Sequence, residues 1–176
     1  MTFVLGGARS GKSAHAEGLV LQSGLVPVYI ATAERLDGEM DDRIRDHRAR
    51  RGAAWLTVEA PLELAATLTA QSAPGRAILV DCLTLWLTNV MLAHRDPDAA
   101  GEGLLTTLAA LPGPVVLVSN EVGLGVVPLG ALSREFVDHA GRLHQRLAAM
   151  ADWVRFMAAG LPLDLKTPAR TDRCTS

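Results

Sequence analysis

The sequence predicts an α/β fold in which helices cover both faces of a mostly parallel sheet. Short apolar runs alternate along the chain with segments of helical periodicity. Because several of these runs are apolar at every position, we expect strands that are buried on both faces, as in parallel sheets. A length of 176 residues suits a single domain. We assign residues 1–168 to that domain and residues 169–176 to a polar, frayed tail.

The predicted elements follow one another in the order expected of βαβ units. The predicted strands are Thr2–Leu5, Val26–Ala31, Trp55–Val58, Ala77–Val80, Pro114–Val118 and, as the last of the chain, Trp153–Ala158. The predicted helices are Ser10–Gln22, Gly38–Arg51, Leu62–Ala70, Leu83–His94, Glu102–Leu111 and Leu132–Met150. Glycine and proline in the segment 123–132 indicate a loop.

Composition excludes several classes of protein. Hydrophobic residues make up 49% of the chain and charged residues 20%, which argues against disorder. A net charge of -2 argues against a large nucleic-acid surface. The longest apolar stretch, Ala77–Ala93, is interrupted by Asp81 and Asn89, so we expect no transmembrane segment. Two cysteines, Cys82 and Cys174, cannot form a disulfide scaffold, and with no signal peptide visible we expect a cytoplasmic protein.

The strongest motif lies directly after the first predicted strand and opens the first helix. It fits G-x-x-x-x-G-K-[ST] over Gly6, Gly7, Ala8, Arg9, Ser10, Gly11, Lys12 and Ser13. Glycines allow backbone amides to turn toward phosphate oxygens, and the helix N-terminus adds a positive field. We expect Lys12 to reach the β- and γ-phosphates and Ser13 to ligate Mg²⁺. The motif therefore predicts a site for Mg²⁺ and a nucleoside triphosphate, ATP or GTP.

Polar residues end two later strands, where a parallel sheet faces its ligand crevice. Asp81 follows one buried strand, and it could either ligate Mg²⁺ or cap the helix that follows it. Asn120 and Glu121 end the next strand, where they are either site residues or turn residues.

A dense cationic segment surrounds His47. Five arginines lie within nine residues, and Asp41 and Asp46 can pair with two of them across one helical turn. One interpretation is a solvated helix with surface ion pairs, each worth about 0.3–0.5 kcal/mol. The other is that arginines on the His47 face keep the imidazole neutral and attract a triphosphate. His47 is then a candidate nucleophile toward phosphorus.

These blocks together resemble a known enzyme family. Besides the phosphate loop, they include E-M-x-x-R-I-x-x-H-R from Glu39, LVDCLTLWLTN around Asp81 and N-E-V-G-x-G-x-V-P from Asn120. The chain resembles the bifunctional adenosylcobinamide kinase / adenosylcobinamide-phosphate guanylyltransferase family of cobalamin biosynthesis over roughly residues 3–166. Departures are His144 where asparagine is common, Gly52 where proline is common, and Asp46 beside the histidine.

The resemblance implies a P-loop NTPase domain of RecA-like fold and two reactions. The family phosphorylates adenosylcobinamide, a corrinoid, and then transfers GMP from GTP to that phosphate through a GMP–histidine intermediate. His47 corresponds to the nucleophile. From the motif and the strand end, we expect Lys12 to be catalytic and Ser13 and Asp81 to hold Mg²⁺. The resemblance also implies a homo-oligomer, expected as a trimer. Implied nucleotide contacts are residues 6–13 together with Thr32, Ala33, Glu34, Arg48, Ala49, Arg50, Arg51, Glu59 and Asp81.

Two other functions are compatible with the phosphate loop. A monofunctional P-loop kinase of a small molecule would use the arginine segment as a lid over phosphates. A nucleotide-driven switch would have no small-molecule substrate, although the sequence contains no N-K-x-D motif for reading guanine. A covalent nucleotide adduct distinguishes the bifunctional enzyme from the kinase, and turnover of adenosylcobinamide distinguishes it from the switch.

Overall fold

The computed structural model describes residues 1–33 and 54–168, and in these ranges a single sheet carries helices on both faces. The predicted helix Gly38–Arg51 and the tail 169–176 lie outside the described residues. The strands are β1 (Thr2–Gly6), β2 (Val26–Ala31), β3 (Leu56–Glu59), β4 (Arg76–Asp81), β5 (Val115–Asn120), β6 (Trp153–Ala158) and β7 (Leu161–Lys166). The helices are α1 (Lys12–Gln22), α2 (Leu64–Gln71), α3 (Leu83–Leu92), α4 (Pro97–Ala110) and α5 (Ala131–Met150).

The strand order places the first strand inside the sheet. The order is β3-β2-β4-β5-β1-β6-β7, and every neighbouring pair is parallel except β6 and β7. This confirms the predicted mostly parallel sheet. Because parallel strands end at the same edge, the residues that follow β1, β2, β4 and β5 lie along one side of the molecule.

The hydrophobic core forms one layer on each face of the sheet. Alternate residues of β1 point to opposite faces, so Phe3 and Leu5 join one layer and Val4 joins the other. The first layer contains apolar side chains from α2, α3, α4 and α5, whereas α1 packs on the second through Ala16 and Val20. The central strands are therefore buried on both faces, as their apolar runs predict.

The sheet extends one strand further than the sequence analysis predicts. Trp153–Ala158 is not the last strand, because β7 turns back and pairs antiparallel with β6. All six residues of β7 are exposed, although Leu161, Leu163 and Leu165 alternate along it. The prediction missed β7 because an exposed edge strand lacks the continuous apolar run by which the buried strands were recognised.

The fourth helix begins earlier than predicted. It starts at Pro97 rather than Glu102, because Asp96 accepts hydrogen bonds from the amides of Asp98 and Ala99. Aspartate at the N-cap followed by proline at the first helical position is a recognised start signal. Among the described residues, none of the helices combines the length and the apolar character that crossing a membrane requires.

Candidate active site

The phosphate loop connects the end of β1 to the start of α1. Gly11 precedes the helix with a φ of +93°, a left-handed conformation that glycine adopts readily. No side chain caps the N-terminus of α1. Its first backbone N–H groups therefore remain available to an anion, and the helix dipole favours negative charge there.

Lys12 is held inside this loop. Its ammonium group donates a hydrogen bond to the Gly7 carbonyl at 2.6 Å, and the residue is only 6% exposed. Burial lowers the pKa of Lys12, while Cys82 and the Asp81 carboxylate act in the opposite direction. The charge of Lys12 is thus poorly solvated and lies near Asp81, so a phosphate at the loop gains a strong electrostatic partner.

The glycine at the start of the loop is required by close backbone packing. A Cβ atom at Gly6 would lie 2.5 Å from the Met157 carbonyl oxygen, which no side chain tolerates. Gly7, by contrast, faces open space, and Ala8 and Arg9 are exposed. The hydroxyl of Ser10 is buried and has no hydrogen-bond partner within the described protein. The loop is thus tightly supported on one side and open on the other.

Asp81 lies at the carboxyl edge of the sheet next to the loop. In the strand register it pairs with Ala31 of β2, which in turn pairs with Glu59 of β3. The N-cap of α3 is Cys82, and no side-chain hydrogen bond caps that helix. The alternative in which Asp81 caps the helix is therefore wrong. The Asp81 carboxylate remains half-buried at the edge, as a ligand for Mg²⁺ or a polar group would require.

Thr32 joins two strands beneath the site. Its hydroxyl donates to the Cys82 carbonyl at 2.7 Å and accepts from the Cys82 amide at 2.8 Å. The Thr32 carbonyl accepts from the Asn89 side chain at 2.8 Å. Thr32 is 0% exposed and its hydroxyl is engaged by the Cys82 backbone, and the nucleotide contact implied for Thr32 stays a prediction. Ala33 follows it as a half-buried residue.

Asn120 at the end of β5 and Glu121 after it make different contacts, and a site role for either stays a prediction. Glu121 accepts a hydrogen bond from the Gly123 amide at 2.6 Å, which is turn chemistry. Asn120 is different, because its amide donates to the Thr84 hydroxyl at 2.9 Å and so links β5 to α3. The backbone places both residues close to the phosphate loop. Gly6 pairs with Asn120 in the strand register, and the Gly6 carbonyl accepts a hydrogen bond from the Glu121 amide.

Below the site, a buried histidine braces β5. His144 of α5 lies 2.8 Å from the Ser119 hydroxyl through Nε2, and its ring packs against Phe3. Burial lowers the pKa of His144, although Glu121 opposes the shift. His139 lies elsewhere, 2.9 Å from Asp98 of α4. The two histidines of α5 therefore belong to different environments.

The donor set at this edge suits a metal that is held partly by phosphate. Within residues 1–33 and 54–168, no cluster of three or more His, Cys, Asp or Glu side chains could hold a metal alone. Mg²⁺ in nucleotide sites needs only one or two protein ligands, with phosphate oxygens and water completing the octahedron. Ser13, which follows the Lys12 position at the start of α1, and Asp81 at the sheet edge fit such a set by chemistry.

Comparison with known proteins identifies the family. The family model described as "Cobinamide kinase / cobinamide phosphate guanyltransferase" matches residues 2–165. The chain belongs to this family. Among the curated relatives, the bifunctional adenosylcobalamin biosynthesis protein CobP of Pseudomonas aeruginosa is 59% identical, with 93% of this chain and 95% of that protein covered. The bifunctional adenosylcobalamin biosynthesis protein CobU of Salmonella typhimurium is 44% identical, with coverages of 94% and 99%.

Solved structures support the fold. The RadB recombinase matches with a TM-score of 0.51 at 13% identity, over 88% of this chain and 72% of that chain. An ATPase from the type III secretion system of pathogenic bacteria matches with a TM-score of 0.53 at 12% identity, over 93% and 56%. At these identities the likeness concerns the fold alone. It confirms the RecA-like P-loop architecture predicted for this cobinamide kinase family member.

The described residues contain part of the predicted site and reveal contacts that the sequence analysis missed. The loop, Thr32, Ala33, Asp81 and Glu59 all lie at or beside one sheet edge. Contacts of Cys82, Thr84, Asn89 and Ser119 were missed, because their partners are distant in sequence and no local pattern marks them. The predicted nucleophile and its neighbours lie outside the described residues: His47, Glu34, Arg48, Ala49, Arg50 and Arg51.

Proposed function

We propose that this protein phosphorylates adenosylcobinamide with ATP or GTP and then transfers GMP from GTP to the resulting phosphate. The products of the second reaction are adenosylcobinamide-GDP and pyrophosphate. One observation carries the proposal: the family match over residues 2–165 includes a complete phosphate loop between β1 and α1. The identity of 59% to the bifunctional CobP over most of both chains supports retention of both activities.

In the kinase reaction, the loop binds and orients the phosphates. The uncapped start of α1 presents backbone N–H groups, and Lys12 moves its ammonium from the Gly7 carbonyl to the phosphate oxygens. Mg²⁺, held by Ser13 and Asp81, would neutralise charge on the phosphates. Phosphoryl transfer depends mainly on positioning and charge neutralisation, and each such group contributes roughly 2–4 kcal/mol to the transition state.

In the transferase reaction, we propose that His47 is the covalent nucleophile. A ring nitrogen of His47 forms a bond to the α-phosphorus of GTP, the bond from that phosphorus to the bridging oxygen breaks, and pyrophosphate leaves with the electron pair. A phosphate oxygen of adenosylcobinamide phosphate then attacks the same phosphorus and releases His47. Two successive displacements replace one difficult attack of an anion on an anion. The family resemblance also implies nucleotide contacts near His47 in the sequence, at Glu34, Arg48, Ala49, Arg50 and Arg51.

The covalent intermediate is directly testable. Incubation with GTP labelled at the α-phosphate should give a protein adduct that is labile to acid and stable to base, as a phosphoramidate is. His47→Asn should abolish the adduct while much of the kinase activity survives. His94→Asn is the matched control, because His94 is exposed and has a φ of +55°, which asparagine tolerates. This control should form the adduct at the wild-type level.

The same experiment separates the proposed enzyme from its closest alternative. A monofunctional kinase would convert adenosylcobinamide to its phosphate and would form no adduct in any variant. An adduct that persists in both His47→Asn and His47→Ala would refute His47 as the nucleophile. Mass spectrometry of products formed from adenosylcobinamide, Mg²⁺ and GTP should detect the phosphate and the GDP form together.

Assembly and location follow from the same resemblance. We propose a homo-oligomer, as a trimer, supported by apolar side chains that project from the open edge strand β7: Leu161, Leu163 and Leu165 are 71%, 60% and 57% exposed. Because both nucleoside triphosphates are cytoplasmic metabolites, we propose that the reactions take place in the cytoplasm.

A further inference from the structure

The β6–β7 hairpin lies directly against the phosphate loop. Its first strand pairs with β1, and the register places Met157 opposite Gly6. The two residues between the strands, Ala159 and Gly160, have φ values of +51° and +80°. Positive φ at both positions is typical of a tight type I′ turn, which fixes the end of the hairpin. The turn therefore holds a defined position beside the loop.

Three close backbone contacts connect the β6–β7 hairpin to the phosphate loop. The Gly160 amide donates a hydrogen bond to the Ser10 carbonyl at 3.0 Å. A Cβ atom at Gly11 would lie 3.2 Å from the Gly160 Cα, and one at Gly6 would lie 2.5 Å from the Met157 carbonyl oxygen. Both fixed glycines of the motif are thus packed against the hairpin. Its contacts reach the first and the last glycine of the loop.

A side-chain contact joins the same hairpin to α1. Arg155 of β6 donates from Nε to Asp164 of β7 at 2.8 Å, and its terminal nitrogen lies 3.2 Å from Nε2 of His15. The Arg155 guanidinium also packs over the Trp153 ring at 4.8 Å. His15 is in the first turn of α1, three residues after Lys12. The hairpin therefore contacts both the loop and the helix that the loop enters.

The hydrogen bond from Gly160 fixes the direction of one loop amide. In a trans peptide, the carbonyl of one residue and the N–H of the next point in opposite directions. Because the Ser10 carbonyl points to Gly160, the Gly11 N–H points away from the hairpin. We propose that the β6–β7 hairpin acts as a clamp on the phosphate loop, and that Gly160 is a positioning residue that orients the Gly11 amide toward the nucleotide phosphates.

A series at Gly160 tests the clamp by GTP affinity. Gly160→Pro removes the donor and also loses the positive φ of the turn, because proline fixes φ at about −65°, and Gly24→Pro carries the same strain. Gly160→Ala keeps the donor but strains the turn, and Gly160→Asn keeps both the donor and a tolerated left-handed conformation. Isothermal titration calorimetry with Mg²⁺ and GTP is done in the His47→Asn background, where GTP forms no adduct. It should give a dissociation constant about fivefold to tenfold higher for Gly160→Pro, the size expected for one lost hydrogen bond. Gly160→Ala should be intermediate, and Gly160→Asn should stay within about twofold of wild type.

Gly24 provides the matched control. It also has a positive φ, +69°, its amide donates to the Leu21 carbonyl at 3.2 Å, and a Cβ there meets nothing within 4 Å. It follows α1 at the end opposite the loop. Gly24→Pro and Gly24→Ala should lower the melting temperature as their Gly160 counterparts do, while leaving GTP affinity unchanged. If Gly160→Pro fails to fold, the GTP affinities of Gly160→Ala and Gly24→Ala are compared instead, and this comparison tests the clamp.

The outcomes distinguish this inference from the proposed function. If Gly160→Ala and Gly160→Pro bind GTP as tightly as wild type, or lose no more affinity than the Gly24 variants, the clamp is overturned. If wild type binds GTP but does not modify adenosylcobinamide, the proposed function fails and the clamp stands. Where both activities are present, loss of the clamp in Gly160→Pro should raise the KM for GTP in both reactions by the same factor, with little change in kcat, because both use one loop.

Discussion

Replacing Thr32 by valine should destabilise the protein strongly without removing a ligand contact. Valine has nearly the shape of threonine, but it lacks the hydroxyl that bonds both the carbonyl and the amide of Cys82. Thr32 is 0% exposed and Cys82 6% exposed, so water cannot replace the lost partner. The Cys82 carbonyl still accepts from the Trp86 amide at 3.2 Å, so the Cys82 amide is the one buried group left unsatisfied. Such a group costs about 1–3 kcal/mol, and the free energy of unfolding should fall by about that amount.

Urea unfolding measured by circular dichroism gives this loss as a shift of the midpoint. Thr69→Val is the matched control, because the Thr69 hydroxyl donates to the Ala65 carbonyl at 3.1 Å on an exposed helix surface. Water can satisfy that carbonyl, so this control should change stability by less than about 0.5 kcal/mol. Thr32→Ser retains the hydroxyl and should recover most of the stability.

Two results would contradict this reasoning. If Thr32→Val and Thr69→Val are equally stable, the Cys82 backbone does not depend on the threonine. If Thr32→Val keeps wild-type stability but loses GTP affinity, Thr32 contacts the nucleotide as the family resemblance implies. The stability measurement and the affinity measurement therefore separate a structural role from a ligand contact.

Two further predictions concern ionisable groups. Lys12→Met removes a buried ammonium whose pKa is lowered by burial, so the melting temperature should not fall, whereas kcat/KM should fall by about 10²–10³-fold. A melting temperature well below wild type would contradict this. Burial also lowers the pKa of His144, so unfolding takes up a proton below pH about 6.5 and stability is lost as pH falls below that value. His144→Asn should weaken this pH-dependent loss of stability between pH 7 and pH 5.5 in melting curves. The pKa of His15 is also lowered by burial, but His15 is present in both proteins, so the difference between them reports on His144.

The phosphate loop could be predicted because its signal is local. The motif, the strand before it and the helix after it lie within a short segment, and the structure places the loop between β1 and α1. The polar strand ends at Asp81 and Asn120 could be placed because parallel strands end at one edge. Sequence could not decide between the roles of Asp81, since capping and metal binding require the same residue type at the same position.

Contacts between distant segments could not be predicted. Thr32 and Cys82 are 50 positions apart, and nothing in either local sequence indicates the pair. Ser119 and His144 are also distant in sequence, and their contact depends on how α5 packs on the sheet. The start of α4 is a different case, because Asp96 and Pro97 carry a recognised start signal. Hydrophobic periodicity alone places the start of this helix too late, because the cap and the first turn lie outside the apolar pattern.

The strand order has a consequence for synthesis on the ribosome. Within the described residues, β1 is translated before both strands that hydrogen-bond to it, β5 and β6, which begin at Val115 and Trp153. The nascent chain can pair β2 with β4 early, but β1 must wait for its partners until β5 and β6 have been translated. The strand that leads into the phosphate loop therefore gains a hydrogen-bonded neighbour on both sides only after β6 has been made.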